Sequence, residues 1–145
     1  MAAKQPQKIN VPSTISNITS HWSPKIIASL NNAYEIKVVK FAGEFVWHSH
    51  PETDEVFYIL SGSMTMQFKE PEPGNDAGGS QQYSALDDVD LHEGDVLVVP
   101  KGVRHCPATR DGMEVVAMVT ETSGVVNTGD ADRTPGLTNE VEDLR

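Results

Sequence analysis

An all-β fold of short antiparallel strands, closed as a sandwich or barrel, is what this sequence predicts. Three observations lead there. Short β-branched runs recur through the middle of the chain, each closed by a Gly, Pro or Ser turn. Ser63-Met64-Thr65-Met66-Gln67-Phe68 alternates polar with apolar residues, the period-two pattern of a half-buried strand. Helical periodicity is scarce, which leaves strands stacked on strands as the architecture.

The elements follow in order. Pro24-Lys25-Ile26-Ile27-Ala28-Ser29-Leu30 reads as a helical turn, with Ser23 as N-cap and Pro24 at the first helical position. Glu35 to Phe41 is a short β-branched strand ending at Gly43, and Phe45-Val46-Trp47-His48 is a second. Glu55 to Leu60 is closed by Ser61-Gly62, and Ser63 to Phe68 follows at once. Glu70 to Ser80 has the composition of a flexible excursion between strands. Val96 to Val99 runs into the Pro100-Lys101-Gly102 turn, and Glu114 to Val119 supplies a further strand. From about Thr128 the chain turns rich in Gly, Asp, Thr and Pro, as expected for a segment lying over the surface.

Composition narrows the function. The 145 residues suffice for one domain with its own core. Net charge is −10, from 21 acidic and 11 basic residues, with no cluster of Lys and Arg to neutralise phosphates. No nucleic acid and no membrane are therefore expected as partners; no apolar run approaches the roughly 20 residues of a membrane span. The N-terminus lacks the apolar block of a secretory signal, and Cys106 is the sole cysteine. A cytoplasmic, reducing location is the expectation.

Three of the five histidines fall into one arrangement with a carboxylate. His48 and His50, two apart on an extended segment, present both imidazoles on one face. Glu55 opens the next strand, with Phe57 and Ile59 on its face, suggesting a polar mouth above an apolar interior. The Pro51-Glu52-Thr53-Asp54 link is short enough to fold Glu55 back beside the histidines. His105 follows the Pro100 to Arg104 turn and can close the cluster from a neighbouring strand. Imidazole and carboxylate together suit one divalent transition metal: Fe, Mn, Ni, Co or Zn. Four donors on an octahedral ion leave two positions for water, substrate or dioxygen.

Here the chain resembles a known family. Gly43-x4-His48-x-His50-x4-Glu55-x6-Gly62 is similar to the first cupin motif, and Gly94-Asp95-x4-Pro100-x-Gly102-x2-His105 to the second. The resemblance spans roughly residues 35 to 120. It implies a small jelly-roll β-barrel (a double-stranded β-helix), often dimeric, whose metal ligands fall on His48, His50, Glu55 and His105. Three departures leave the ligands in place: Gly43 lies one residue closer to His48 than usual, Thr109 replaces the terminal asparagine, and the Gly62 to Gly94 stretch is long. Within the superfamily the chain resembles small single-domain metal-binding cupins of the cupin_2, mannose-6-phosphate-isomerase-like type, with a Gly-Val-Val-Asn-Thr-Gly-Asp run at Gly124 to Asp130. The chain then divides into an N-terminal extension (1–34), a cupin barrel (35–122) and a C-terminal tail (123–145).

The expected function is metal-dependent chemistry on a small organic substrate that chelates the ion, leaning to a dioxygenase. A non-redox isomerase or lyase using the metal as Lewis acid is the alternative, and a non-catalytic metal- or ligand-binding module the third. No second acid or base is identifiable from sequence. His21 and His92 are expected on the surface, and Cys106 as a buried inert thiol. Val46, Phe57, Ile59, Met64, Met66 and Val98 are candidates to line an apolar pocket, with core packing as the plainer role of each. Lys101 and Arg104 near the mouth are solvated turn residues or guides for an anionic substrate. Phe45 and Trp47 alternate with the ligand face, which places them in an outer layer or at the contact of a homodimer.

Overall fold

The computed structural model describes residues 2–74 and 78–145. Ten strands and one short helix run α1 (Val11–Ser16), β1 (Lys25–Leu30), β2 (Tyr34–Phe41), β3 (Glu55–Ser61), β4 (Ser63–Pro71), β5 (Tyr83–Ala85), β6 (Val89–His92), β7 (Val96–Val99), β8 (Arg104–Ala108), β9 (Val115–Thr122) and β10 (Glu142–Asp143). The larger sheet has the order β10-β1-β2-β9-β3-β7. In the smaller one β4 pairs with β5, β6 and β8. This is the all-β, two-sheet jelly roll expected.

Alternation explains the core. Val39 and Phe41 on β2, Phe57 and Ile59 on β3, and Ala117 and Val119 on β9 face Met64, Met66 and Phe68 on β4 in one buried cluster. Burying each such side chain contributes about 1.5–3 kcal/mol. On the outer face of the large sheet, Val11 and Ile15 of α1 pack over Ile18, Ile27 and Val38. Gly62 joins β3 to β4 at φ +82°, where an added Cβ would lie 2.6 Å from the Glu114 carbonyl oxygen. Only glycine fits that close approach.

Three local expectations are corrected. Residues 25–30 form a strand: β1 pairs with β2, and a bulge between Ile26 and Ala28 lets the consecutive Ile26 and Ile27 both be buried. The pairing overrides the Ser23-Pro24 start signal. The helix forms instead at α1, where the Asn10 side chain caps the Ser13 amide at 2.8 Å. The run Phe45 to His48 is no regular strand, since only Glu44 and His48 bridge to β8, at Ala108 and His105. Between the two bridges three residues oppose two on the partner, and the irregularity turns Phe45 inward. The Glu70 to Ser80 stretch begins as ladder, with Glu70 and Pro71 of β4 paired to Ser84 and Tyr83 of β5. Its residues 75–77 lie outside the described ones.

Candidate metal centre

Three chain segments converge on the cluster. His48 and His105 are joined by two backbone hydrogen bonds, 3.0 and 2.8 Å, and the Gly102 amide donates to the His50 carbonyl at 2.9 Å. The Pro100 to Gly102 turn is thereby tied to the His48–His50 segment. Glu55, first residue of β3, is paired with Val99 of β7 immediately before that turn. The result brings donors of His48, His50, Glu55 and His105 within 4.8 Å of one another, all four buried.

The hydrogen bonds test whether a cation fits. His48 Nδ1 lies 2.9 Å from the Val46 carbonyl and His105 Nδ1 2.8 Å from the Val103 carbonyl. A carbonyl only accepts, so each Nδ1 carries the proton and each Nε2 keeps its lone pair. His105 Nε2 then faces Glu55 Oε1 at 3.3 Å, lone pair against carboxylate. His50 Nε2 is 3.3 Å from Glu55 Oε2 without hydrogen-bond alignment and is left unpartnered. Such an array is unfavourable empty and favourable around a positive ion, so the four residues could hold a metal.

Ionisation fits this reading. Burial, reinforced by the neighbouring His105, pushes the His48 imidazole down to about 4, so it is neutral at physiological pH. Burial opposes charge on Glu55, but the adjacent His105 and His50 imidazoles outweigh it and hold its carboxyl well below the usual range. The donor set is three imidazoles and one carboxylate.

Beside the cluster lie two charged residues that sequence reasoning missed. Glu121 on β9 and Lys37 on β2 are buried, with Lys37 Nζ 3.0 Å from Glu121 Oε1 and 3.5 Å from Glu35. Glu121 Oε2 has no partner and sits 3.9 Å from His50 Nε2. Burial and the nearby Glu55 carboxylate push Glu121 up to about 9 against the pull of Lys37. A signal existed: Val115, Ala117, Val119 and Glu121 share one strand face, the same apolar run ending in a carboxylate that marks Glu55.

These polar groups close one end of a pocket of about 50 Å³. Its apolar wall is aromatic: Trp22 stacks on Phe41 at 4.8 Å and on Phe45 at 4.4 Å, and Phe45 meets the His48 ring edge-on at 5.3 Å. Phe57, expected in such a pocket, lines it. Ile59, Met64 and Met66 pack in the core, and Val46 lies against it. Val98 faces outward, 49% exposed.

His21 is exposed and bonded to Glu114 at 2.8 Å, and His92 is exposed. Cys106 is fully buried, and burial together with the Glu44 charge pushes its thiol up to about 12. Phe45 is buried against Trp22, correcting its expected outward placement. Trp47 is partly buried, with the Lys69 ammonium 3.9 Å above its ring. Lys101 is exposed and Arg104 stacks over Tyr83 at 4.8 Å.

Comparison with known proteins decides the family. The cupin family profile (Cupin_1, described as Cupin) matches residues 2–142. The chain belongs to the cupin family. This cupin is 31% identical to the uncharacterised protein YdbB of Bacillus subtilis over 90 residues, 62% of this chain and 65% of that one. A putative germin-like protein of Oryza sativa is 28% identical over 99 residues, 65% of this chain and 40% of its own. The cupin thus spans less than two thirds of either relative. Among solved structures, a cupin-2 domain protein of Shewanella frigidimarina superposes with TM-score 0.63 at 36% identity, covering 79% of this chain and 93% of that one. A Neisseria meningitidis protein gives TM-score 0.61 at 26% identity, covering 81% of this cupin and 100% of that chain. Among the described residues no helix is long and apolar enough to cross a membrane.

Proposed function

We propose that His48, His50, Glu55 and His105 hold one divalent transition ion, and that this cupin is an enzyme acting on a small organic molecule that chelates it. The observation that carries this is the cluster of four buried donors, of which His48 and Glu55 line the aromatic-walled pocket together with Glu121. When bound, the ion would polarise a carbonyl or hydroxyl oxygen as a Lewis acid or act as a redox centre. The chain's residues supply the rest. Trp22, Phe41, Phe45 and Phe57 exclude water and favour an apolar body in the substrate. Lys37 holds Glu121 by Oε1, leaving Oε2 free to hold or move a proton on the substrate.

Glu121 favours non-redox proton transfer, an isomerase or lyase. Dioxygenase-type chemistry is the second reading, supported by the two positions that four donors leave on a six-coordinate ion. The test is protein purified without a metal-affinity tag, analysed for metal and assayed with hydroxy-ketones, diketones and catechols in air and without oxygen. Turnover that survives without oxygen on a zinc-loaded sample, and falls about 10²–10⁴-fold in Glu121→Gln, supports proton transfer. Turnover that stops without oxygen and needs iron supports the dioxygenase. Bound metal with no turnover across the panel favours the binding module.

A further inference from the structure

The C-terminal segment reaches the back of the metal centre. Ser49 stands between His48 and His50, on the side opposite the ligand face, and meets the turn Thr128-Gly129-Asp130. The Ser49 amide donates to Asp130 Oδ1 at 2.6 Å and its hydroxyl to Oδ2 at 2.8 Å. The Asp130 amide donates back to the Ser49 carbonyl at 3.1 Å. Burial alone would raise the Asp130 carboxyl, but the Ser49 amide and hydroxyl outweigh it and hold it below its usual value. The bonds are charge-assisted at neutral pH and stronger for it. Gly129, at φ +53°, lies so close that an added Cβ would overlap the Ser49 carbonyl oxygen and come within 3.1 Å of both His48 Cδ2 and His50 Nδ1. Thr128 behind it is buried, its hydroxyl 3.1 Å from that of Thr138.

This contact matters because separate hydrogen bonds, not a ladder, hold the ligand segment. No ladder runs through residues 42–54; the isolated bridge at His48 is the last pairing before Glu55. Past His48, the Gly102 contact to His50 secures one side and the Asp130 clamp the other.

We propose that Asp130 is a positioning residue for the metal centre: with Gly129 it fixes the placement of His48 and His50, so the C-terminal segment sets how tightly the ion is held. This rests on the metal reading above. Partners behind a ligand typically change metal affinity about 10–100-fold when removed. The test titrates cobalt(II) into the metal-free full chain and reads both affinity and the visible bands that report coordination geometry. Asp130→Ala is expected to bind about 10–100-fold more weakly with altered bands, while the melting temperature of the metal-free protein stays near wild type. Asp130→Asn, which keeps an acceptor for the Ser49 amide, should recover much of the affinity, and Asp132→Ala should match wild type. Gly129→Ala should weaken binding likewise; if it does not fold, the Asp130 variants decide. Wild-type affinity and bands in Asp130→Ala would overturn the proposal, as would a loss matched by Asp132→Ala. Equal binding by wild type and His50→Ala would instead remove the metal reading, and this inference with it.

Discussion

His48 and His105 are held as a matched pair. Their backbones exchange two hydrogen bonds, their rings lie 4.3 Å apart, and each Nδ1 is tied to the carbonyl two residues earlier in its own segment. The same local device therefore fixes the tautomer on both sides of one bridge. Neither ring must reorganise to present Nε2 to an ion, and the entropy of ordering the donors is already spent in folding.

From this follows a separation of metal binding from folding. His50→Ala or His105→Ala should lose most of the bound metal by elemental analysis while keeping wild-type circular dichroism, because the core strands carry the stability. Added ion should raise the melting temperature of the wild type through preferential binding to the folded state and leave the variants unmoved. Unchanged metal content in both variants would refute the ligand assignment.

Lys37 and Glu121 should behave as a coupled buried polar pair. Lys37→Met leaves Glu35 without its cation and Glu121 without its hydrogen-bond donor, and should cost about 3–5 kcal/mol in urea unfolding. The double change Lys37→Met with Glu121→Leu should recover much of that loss, since an apolar pair needs no compensating charge. Additive losses in the double variant would show that the two side chains do not interact.

Cys106 should be silent toward thiol reagents until the protein unfolds, so its reaction with a disulfide reagent should track unfolding. Its pH dependence has a definite sign. Burial favours the neutral thiol in the folded protein up to about pH 12, whereas in the unfolded chain it ionises near pH 9. This contribution to stability is complete below pH 9 and is lost as the pH rises toward 12. Cys106→Ala should flatten that part of the stability profile.

A homodimer is expected, but through a different face from Phe45 and Trp47. Val96 and Val98 project from β7, the edge strand of the large sheet, 60% and 49% exposed. An apolar, unpaired edge is a site for joining a second chain. Light scattering should give twice the 15.8 kDa of one chain, and Val96→Lys with Val98→Lys should return the monomer. A wild-type mass of one chain at tens of micromolar would refute the dimer.

The donor quartet was legible because its information is local. His48-Ser49-His50 and the five-residue step to Glu55 place three donors by alternation and a short link, and the Pro100 to Gly102 turn announces His105. The all-β class was likewise readable from period two and turn residues, and so was the buried character of Cys106. Everything else depended on which distant segments meet. Lys37 finds Glu121 only because β2 and β9 pair in the register Lys37 to Val119 and Glu35 to Glu121. Phe45 turns inward because three residues oppose two between the bridges to β8. Residues 25–30 form a strand because β2 offers a free edge, and pairing there outweighs a good helix start. Asp130 meets Ser49 from 81 residues away. The sequence by itself determined the strand alphabet and the candidate metal donors, through periodicities of a few residues. Tertiary structure alone decided the second carboxylate, the aromatic wall and the clamp, because those contacts depend on strand register and segment docking that no local spacing encodes.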